Sequence, residues 1–285
     1  MVALEENIIS NKTRYNCNDG FEYEKNKFVK CYPHSSLTDL QQAITISCNT
    51  YFCKTFSDLF KKYTSNQESY NMWRNHISSF GIGEWMNNDF VSGTKGMLPK
   101  HEYYNKYYGR TSWNSSTIIS MAIGQGELLL TPIQMANISA IIANRGFYFT
   151  PHIVKSIEGN EKIDTTFLEK KYTTINPKHF DVIIEGMEKV IKKSDGTANN
   201  IKSNSISICG KTGTAQNPHG EDHSIFIAFA PKENPEIAIA VYIENGGWGS
   251  TWAAPIAGLM IEKYLKADIN LDVEKFITNG VINSK

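Results

Sequence analysis

The stretch Gly210–Thr214, with the sequence Gly-Lys-Thr-Gly-Thr, constrains the fold of this chain more than any other. Apolar residues recur with a period of two before and after it, in segments 206–208, 225–230 and 237–243. This period is typical of sheet strands. The turn-forming segment 231–235, Pro-Lys-Glu-Asn-Pro, joins the last two runs as a hairpin. The sequence therefore predicts an antiparallel sheet that carries this stretch on one strand.

The side chains of this strand bring a cation and two hydroxyls together. Alternation along a strand sends Lys211 and Gly213 to one face, while Thr212 and Thr214 take the other. Because Gly213 has no Cβ, an extended ligand could lie against the strand edge and pair with its backbone. The ammonium and hydroxyl groups suit a ligand carboxylate. Taken alone, the stretch is better explained as a turn with a solvated lysine, because lysine, threonine and glycine are common residues.

A second short motif, Ser47-Cys48-Asn49, lies far upstream at a predicted helix corner. The segment 38–41, Thr-Asp-Leu-Gln, predicts the capped start of a helix that ends near Ser47. Asn49 is suited to cap the next helix, which carries Phe52 and Phe56. Such a corner can aim Ser47 and Asn49 into a cleft, although both residues could also serve as helix caps alone.

Together the two motifs resemble the second and third motifs of penicillin-binding proteins and serine β-lactamases. The chain resembles the class B penicillin-binding proteins, and among them the elongation transpeptidases of the penicillin-binding protein 2 group. The resemblance extends over residues 1 to 265, and further segments that carry it are 124–136, 223–231 and 245–257.

The resemblance implies an α+β transpeptidase fold, with an antiparallel sheet covered by helices and a mainly helical subdomain. We expect one domain over residues 1–265 that lacks its N-terminal part. Within it we expect a helical and irregular region at about 38–200, a sheet region at about 205–245 and a covering helix at about 251–265. Residues 266–285 have few apolar anchors and are expected to form a fraying tail.

In this family a serine attacks the carbonyl between two terminal D-alanines of a peptidoglycan stem peptide, and an amine resolves the acyl-enzyme. The resemblance implies that Ser47 relays a proton and that Asn49 binds the substrate amide by hydrogen bonds. It implies that Lys211 lowers the electrostatic cost of the proton relay. The substrate-binding residues are then Thr212, Gly213 and Thr214. Both threonines would bind the terminal carboxylate, and the Thr214 N–H would form half of an oxyanion hole. No cofactor and no metal are expected.

The family's nucleophile motif, Ser-X-X-Lys, is missing from its expected place before Ser47. The chain's one match, Ser92-Gly93-Thr94-Lys95, follows the second motif and carries glycine and proline signals of a loop. Residues 1–6 look like the continuation of the nucleophile-bearing helix. We therefore expect a fragment that is inactive and poorly soluble by itself, because an unfilled core position costs several kcal/mol. A cooperative thermal melt would contradict that expectation.

Charge and hydropathy narrow the possible partners of the chain. With 29 basic and 29 acidic residues the formal net charge is zero, which does not favour nucleic acid. No apolar run reaches the roughly 18 to 20 residues of a membrane span.

The resemblance implies a catalytic domain outside the cytoplasmic membrane, on its periplasmic or extracellular side, with an anchor beyond this chain. It also implies as ligands the stem peptide, an acceptor amine and β-lactams. The implied partner is the cell-elongation machinery with its shape-determining glycosyltransferase.

The chain has five cysteines, at positions 17, 31, 48, 53 and 209. The polar segment between Cys17 and Cys31 could form a hairpin, which makes these two the best candidates for a disulfide. A zinc site of Cys17, Cys31 and His34 is the alternative, although the spacing matches no standard pattern. Cys48 is expected to be a small buried filler.

Two other functions remain compatible with the motifs. One is a non-catalytic scaffold that keeps the penicillin-binding fold without its chemistry. The other is a D,D-carboxypeptidase or β-lactamase, since these enzymes share all three motifs.

Overall fold

A computed structural model of the chain describes residues 1–34, 37–90, 92–156 and 165–283. The helices in these ranges are α1 Val2–Glu5, α2 Leu40–Thr45, α3 Asn49–Leu59, α4 Asn66–Ser78, α5 His101–Tyr108, α6 Pro132–Ala143, α7 Phe180–Lys192, α8 Ala253–Tyr264 and α9 Leu271–Asn283. The strands are β1 Arg14–Asn16, β2 Gly20–Glu24, β3 Lys27–Lys30, β4 Leu37–Asp39, β5 Phe147–Tyr148, β6 Lys171–Tyr172, β7 Cys209–Ala215, β8 His223–Ala230 and β9 Ile237–Ile243. The predicted α+β class is confirmed.

The motif strand β7 lies at the edge of a three-stranded antiparallel sheet of order β7-β8-β9. Lys211 pairs with Ile227 and Gly213 with Ile225 across the β7–β8 ladder. The predicted hairpin connects β8 to β9, whose register runs from Ser224 opposite Ile243 to the turn. Among the described strands β7 has a partner on one side only, so its other edge carries no strand and could pair with an extended ligand.

Helices cover the two faces of the sheet. On one face Ile225 and Ile227 line the same cavity as Met135 of α6. On the other face the Ser224 hydroxyl accepts a hydrogen bond of 3.2 Å from the backbone N–H of Ala253, the first residue of α8. This arrangement agrees with the alternation of β8, because successive residues of a strand point to opposite faces.

The helix that leads to Ser47 packs against α7, which in turn packs against β7. Gly186 of α7 allows this approach, since a Cβ there would lie 2.9 Å from Cδ1 of Ile44. Polar contacts hold the same pair of helices, because the Gln41 side chain bonds both Glu185 and Lys189. Helix α2 is therefore fixed to the element beside the motif strand.

Two predicted helix starts differ from the structure. Thr38 lies in β4, and Asp39 is the residue that caps α2 by accepting a hydrogen bond from the Gln42 N–H. Asn49 is the first residue of α3 rather than its cap, and the Cys48 sulfur accepts from the Tyr51 N–H instead. The short side chain of Asp at an extended residue satisfies the free N–H groups of a helix start, which explains the shift of one residue.

Other predicted elements appear with small shifts. Pro132 opens α6 after a capping box at Thr131, as its fixed φ favours. The covering helix runs over Ala253–Tyr264. The predicted tail, residues 266–285, contains α9, whose Phe276 ring stacks on Trp252 at 5.4 Å between centroids. The division of the chain into helical, sheet and covering regions remains a prediction.

None of the helices in the described ranges is both long enough and apolar enough to span a lipid bilayer.

Candidate active site

Ser47 occupies a sharp corner between α2 and α3. Its φ is +57°, in the left-handed region that a non-glycine residue seldom adopts. The backbone is held there by hydrogen bonds from the Ser47 N–H to Ile44 O, 3.4 Å, and from the Cys48 N–H to Ala43 O, 2.9 Å. Such conformations persist only where the surroundings impose them, and they are frequent at functional sites.

The corner brings Ser47 to the motif strand. Lys211 Nζ donates a 2.9 Å hydrogen bond to Ser47 Oγ, although the two residues are 164 positions apart in sequence. The same ammonium donates to the backbone carbonyl of Thr212, also at 2.9 Å. The two motifs therefore meet at one point.

Burial lowers the pKa of the Lys211 ammonium from 10.5 to about 8, because a charged group loses hydration inside the protein. A cavity of about 450 Å³ borders this lysine, and Thr212 and Gly213 lie in the same wall. The rest of the wall is mostly apolar, with Phe56 and Trp73 among its members. A site with few polar neighbours strengthens electrostatic interactions between the groups that remain.

Asn49 lies beside Ser47 at the start of α3. Its side-chain amide donates a 2.9 Å hydrogen bond to the carbonyl of Lys30, at the end of β3. This bond fixes the amide plane and leaves its carbonyl oxygen available as an acceptor.

The two threonines of the motif strand are each supplied with a hydrogen-bond partner. The Thr212 hydroxyl lies 2.8 Å from the Thr197 hydroxyl. The Thr214 hydroxyl accepts a bond of 3.4 Å from the Gly249 N–H. The Gln125 amide donates to the Thr214 carbonyl at 3.1 Å.

Gly249 lies against the motif strand in a gap that only a glycine fits. A Cβ there would be 2.4 Å from the carbonyl oxygens of both Gly213 and Ile225. At Gly213 itself a Cβ would approach Ile225 Cβ to 3.2 Å. Close backbone packing therefore sets the position of Gly213 in the strand.

Ser92 lies outside every helix and strand and is exposed. Its Ser-X-X-Lys sequence therefore does not place serine and lysine on one turn of a helix, and the prediction that Ser92 is a loop residue is confirmed.

Comparison with known proteins identifies the family. The penicillin-binding protein transpeptidase domain matches residues 1–262. The chain belongs to this family.

Its relatives include peptidoglycan D,D-transpeptidases. MrdA of Haemophilus influenzae is 32% identical over 261 residues, which cover 84% of this chain and 38% of the relative. PbpA of Mycolicibacterium smegmatis is 34% identical over 161 residues, 51% of this chain and 31% of that protein. The chain thus spans less than half the length of these curated relatives.

Solved structures of the same family share the fold. The crystal structure of Pseudomonas aeruginosa PBP2 in complex with WCK 5153 gives a TM-score of 0.79 at 28% identity, over 93% of this chain and 58% of that one. The structure of Helicobacter pylori PBP2 in a complex with MreC gives a TM-score of 0.72 at 25% identity. The match covers 93% of this chain and 47% of that one. The predicted resemblance to the penicillin-binding protein 2 group is confirmed.

A second cluster of side chains adjoins the candidate site. Cys17, Cys31, His34 and Cys48 place their metal-ligating atoms within 4.8 Å of one another. The Thr50 hydroxyl lies between two of them, 3.1 Å from Cys17 Sγ and 3.3 Å from Cys31 Sγ. Cys48 connects this cluster directly to the candidate site, because it stands between Ser47 and Asn49.

The five cysteines are free thiols in the structure, so the candidate disulfide Cys17–Cys31 is not formed. The segment between these two cysteines forms a hairpin of β2 and β3, as predicted. A hydrogen bond donated by the Cys48 thiol lowers the pKa of Cys31 and raises that of Cys48 itself. A thiolate at Cys31 is the form that binds metal ions.

Three thiols and one imidazole could hold a zinc ion. Cys₃His is one of the ligand sets of structural zinc sites, and bonds of about 2.3 Å to sulfur place tetrahedral ligands about 3.8 Å apart. The spread within the cluster is compatible with a slight contraction around such an ion. Three of these ligands, Cys17, Cys31 and His34, were predicted from the sequence as an alternative to a disulfide. Cys48 was expected to be a buried filler, since the spacing of the four residues follows no standard pattern.

We expect the purified chain to retain about one zinc ion through dialysis, as a Cys₃His site requires. Cys31→Ser should lose the metal, because serine is a poor zinc ligand. Cys209→Ser is the control, since Cys209 is a buried thiol in β7 that lies outside the cluster, whereas Cys31 is half-buried. Elemental analysis by mass spectrometry measures the content, and a metal-free wild-type chain after growth in zinc would contradict the assignment.

The prediction from sequence did not include Thr197 or Gln125. Thr197 lies in no recognised motif, and Gln125 lies in segment 124–136, which carries the resemblance but was given no site role. The contacts of both residues with β7 depend on how distant loops fold back to it.

Proposed function

We propose that this chain forms the substrate cleft of a serine-type peptidoglycan D,D-transpeptidase. The observation that carries the proposal is the 2.9 Å hydrogen bond between Lys211 and Ser47, with Asn49 at the same corner. A cation, a relay hydroxyl and an amide then stand beside an open strand edge, which is what a peptide with a C-terminal carboxylate requires. Membership of the transpeptidase family supports the same reaction.

The proposed donor is a stem peptide that ends in D-alanyl-D-alanine. A serine hydroxyl attacks the carbonyl between the two D-alanines, the C–N bond breaks, and the terminal D-alanine leaves with a proton on its amine. A second stem peptide then attacks the acyl-enzyme with its own amine and restores the serine. The residues of the described cleft bind and orient the donor and move the leaving-group proton.

In this proposal Ser47 relays that proton. Its Oγ accepts from Lys211, so its own hydroxyl proton is free to be donated to the leaving amine. With a pKa of about 8 the ammonium is mostly protonated at pH 7 yet can give up a proton without a large energetic penalty. Asn49 would hold the substrate amide through its free carbonyl oxygen.

The open edge of β7 would pair with the extended stem peptide, with Gly213 leaving room for it. The Thr212 and Thr214 hydroxyls would bind the terminal carboxylate. The Thr214 N–H would donate to the developing oxyanion together with the N–H of the nucleophilic serine.

This chain is not expected to be acylated by itself. Its one Ser-X-X-Lys sequence, Ser92–Lys95, is in an exposed loop, so no lysine is held one turn from that serine to activate it. Intact-protein mass spectrometry after incubation with benzylpenicillin measures the result. A stoichiometric adduct on any serine would contradict this expectation.

By analogy with H. pylori PBP2, solved with MreC, we propose that the protein works with the cell-elongation machinery and a glycosyltransferase partner. The proposed location of the site is the outer side of the cytoplasmic membrane, where peptidoglycan is cross-linked.

Binding of a short peptide tests the proposal without requiring the nucleophile. The purified chain, expressed with a solubility partner, is titrated with diacetyl-L-Lys-D-Ala-D-Ala and with its all-L isomer by isothermal calorimetry or NMR. We expect saturable binding of the D,D-peptide only, and its loss in Ser47→Ala combined with Asn49→Ala. Equal binding of both isomers, or of neither, would contradict a stem-peptide cleft.

The two rival functions give different results in related assays. A scaffold would bind no D,D-peptide. A carboxypeptidase or β-lactamase would, in its complete form, release D-alanine or hydrolyse the lactam but would not join an acceptor amine to the product.

A further inference from the structure

Thr197 connects the two elements that carry the site motifs. It lies in the loop that follows α7, outside both motifs. Its N–H donates to the Thr45 carbonyl at 3.2 Å, two residues before Ser47. Its hydroxyl lies 2.8 Å from that of Thr212, the residue after Lys211. One residue thus touches the neighbours of both members of the Ser47–Lys211 pair.

The loop around Thr197 is held firmly in place. The Gln42 side chain of α2 donates to Asp195 at 2.9 Å and accepts from Lys193 at 3.4 Å. The Ala198 N–H donates to Val190 O at 3.0 Å. These bonds connect the loop to α2 and to α7, so the Thr197 hydroxyl has a defined position relative to β7.

A hydroxyl has one proton to donate and two lone pairs that accept. If Thr212 donates to Thr197, its single proton is already engaged and cannot reach a ligand. If Thr197 donates to Thr212, the Thr212 proton stays available. A carboxylate accepts hydrogen bonds only, so a Thr212 that binds it must be in the second arrangement.

Thr214 shows the same pattern two residues along the strand. Its hydroxyl accepts from the Gly249 N–H, which leaves its proton free to donate. Among the described residues Thr197 is the side chain that hydrogen-bonds the Thr212 hydroxyl. It can therefore donate to the Thr212 oxygen as the Gly249 N–H donates to the Thr214 oxygen.

We propose that Thr197 is a positioning residue that donates to Thr212 and thereby directs the Thr212 hydroxyl proton to the C-terminal carboxylate of the donor peptide. This inference rests on the proposed function, since it names the group that orients a carboxylate ligand of the same cleft. Aligned hydroxyls polarise one another, so the bond from Thr212 to the carboxylate is strengthened.

The test compares two ligands, diacetyl-L-Lys-D-Ala-D-Ala with a free carboxylate and the same peptide as its C-terminal amide. For wild type we expect tighter binding of the acid. Thr197→Val keeps the shape of the side chain but removes the hydroxyl, and should weaken binding of the acid about tenfold, the effect of one hydrogen bond to a charged group. Affinity for the amide should be unchanged, and Thr197→Ser should restore preference for the acid.

Two further variants distinguish a positioning role of Thr197 from a general loss of stability. Ser65→Ala removes the capping hydroxyl of α4, away from the cleft, and should lower the melting temperature without altering preference for the acid. Thr197→Val combined with Thr212→Val should weaken acid binding no further than Thr212→Val alone, because both act through one hydrogen bond.

The outcomes distinguish this inference from the proposed function. Equal losses for acid and amide in Thr197→Val, or no loss for either, would overturn the role of Thr197 while leaving the stem-peptide cleft intact. A wild-type chain that binds neither ligand would overturn both.

Discussion

Lys211→Met should abolish binding of the D,D-peptide and at the same time leave the chain as stable as wild type, or more stable, at pH 7. Binding is lost because the change removes the cation of the cleft and the donor to Ser47. Stability is kept because methionine fills similar space without placing a charge in a mostly apolar wall.

The pH dependence follows from the lowered pKa of Lys211. The folded chain releases this proton near pH 8, whereas the unfolded chain keeps it until about 10.5. Between these values the unfolded state binds more protons, so this group's contribution to stability rises with pH. Below about pH 8 the charge on Lys211 costs the folded state up to about 3 kcal/mol relative to the neutral amine. The two hydrogen bonds, which the neutral amine can also donate, stabilise the side chain by about 1 kcal/mol each relative to methionine.

The measurement compares the free energies of unfolding of wild type and Lys211→Met at pH 7 and at pH 9.5. The difference should be small at pH 7 and should move by about 2 kcal/mol in favour of wild type at the higher pH. Taking this difference cancels the titration of the buried cysteines and tyrosines, which both proteins share. A difference that does not vary with pH would show that Lys211 is not buried as a charge.

Gly249→Ala should destabilise the chain by about 3 kcal/mol, because forced overlap with backbone is among the costly classes of substitution. The new methyl would lie 2.4 Å from the carbonyl oxygens of Gly213 and Ile225, and neither can move without disturbing the β7–β8 ladder. The affinity for the D,D-peptide should fall as well, since a displaced Gly213 is part of the proposed peptide-binding edge of β7.

Urea unfolding measures the loss, and Gly93→Ala is the matched control. A Cβ at Gly93 would meet no atom within 4 Å, so this variant should behave as wild type. If Gly249→Ala and Gly93→Ala had the same unfolding midpoint, the close approach of the Gly249 loop to the motif strand would be wrong.

Local patterns were enough to predict the motif sheet and four of the helices, α2, α3, α6 and α8. The period of two placed β8 and β9, and the proline-flanked turn fixed their antiparallel pairing. Pro132 marked the start of α6. The first residues of α2 and α3 were missed by one position, because several neighbouring side chains can cap a helix and tertiary contacts decide which one does.

The candidate site was predicted only where a contiguous motif carried it. Ser47, Asn49 and Lys211 were found in this way. Thr197 and Cys48 were not assigned their contacts, because these depend on a loop after α7 and on a hairpin that fold back from distant parts of the sequence. A common residue type at an unremarkable spacing gives no signal of such a contact.

The order of residues by itself determined that 209–215 forms a strand with lysine and glycine on one face and two threonines on the other, since alternation is a property of the extended backbone. It also determined a corner at Ser47 between two helices. Only the tertiary structure decided that this corner and this strand touch. Packing of α2 on α7, and of α7 on β7, brings Lys211 to 2.9 Å from a serine 164 residues away. Contacts at that separation depend on how whole elements pack, which no local pattern encodes.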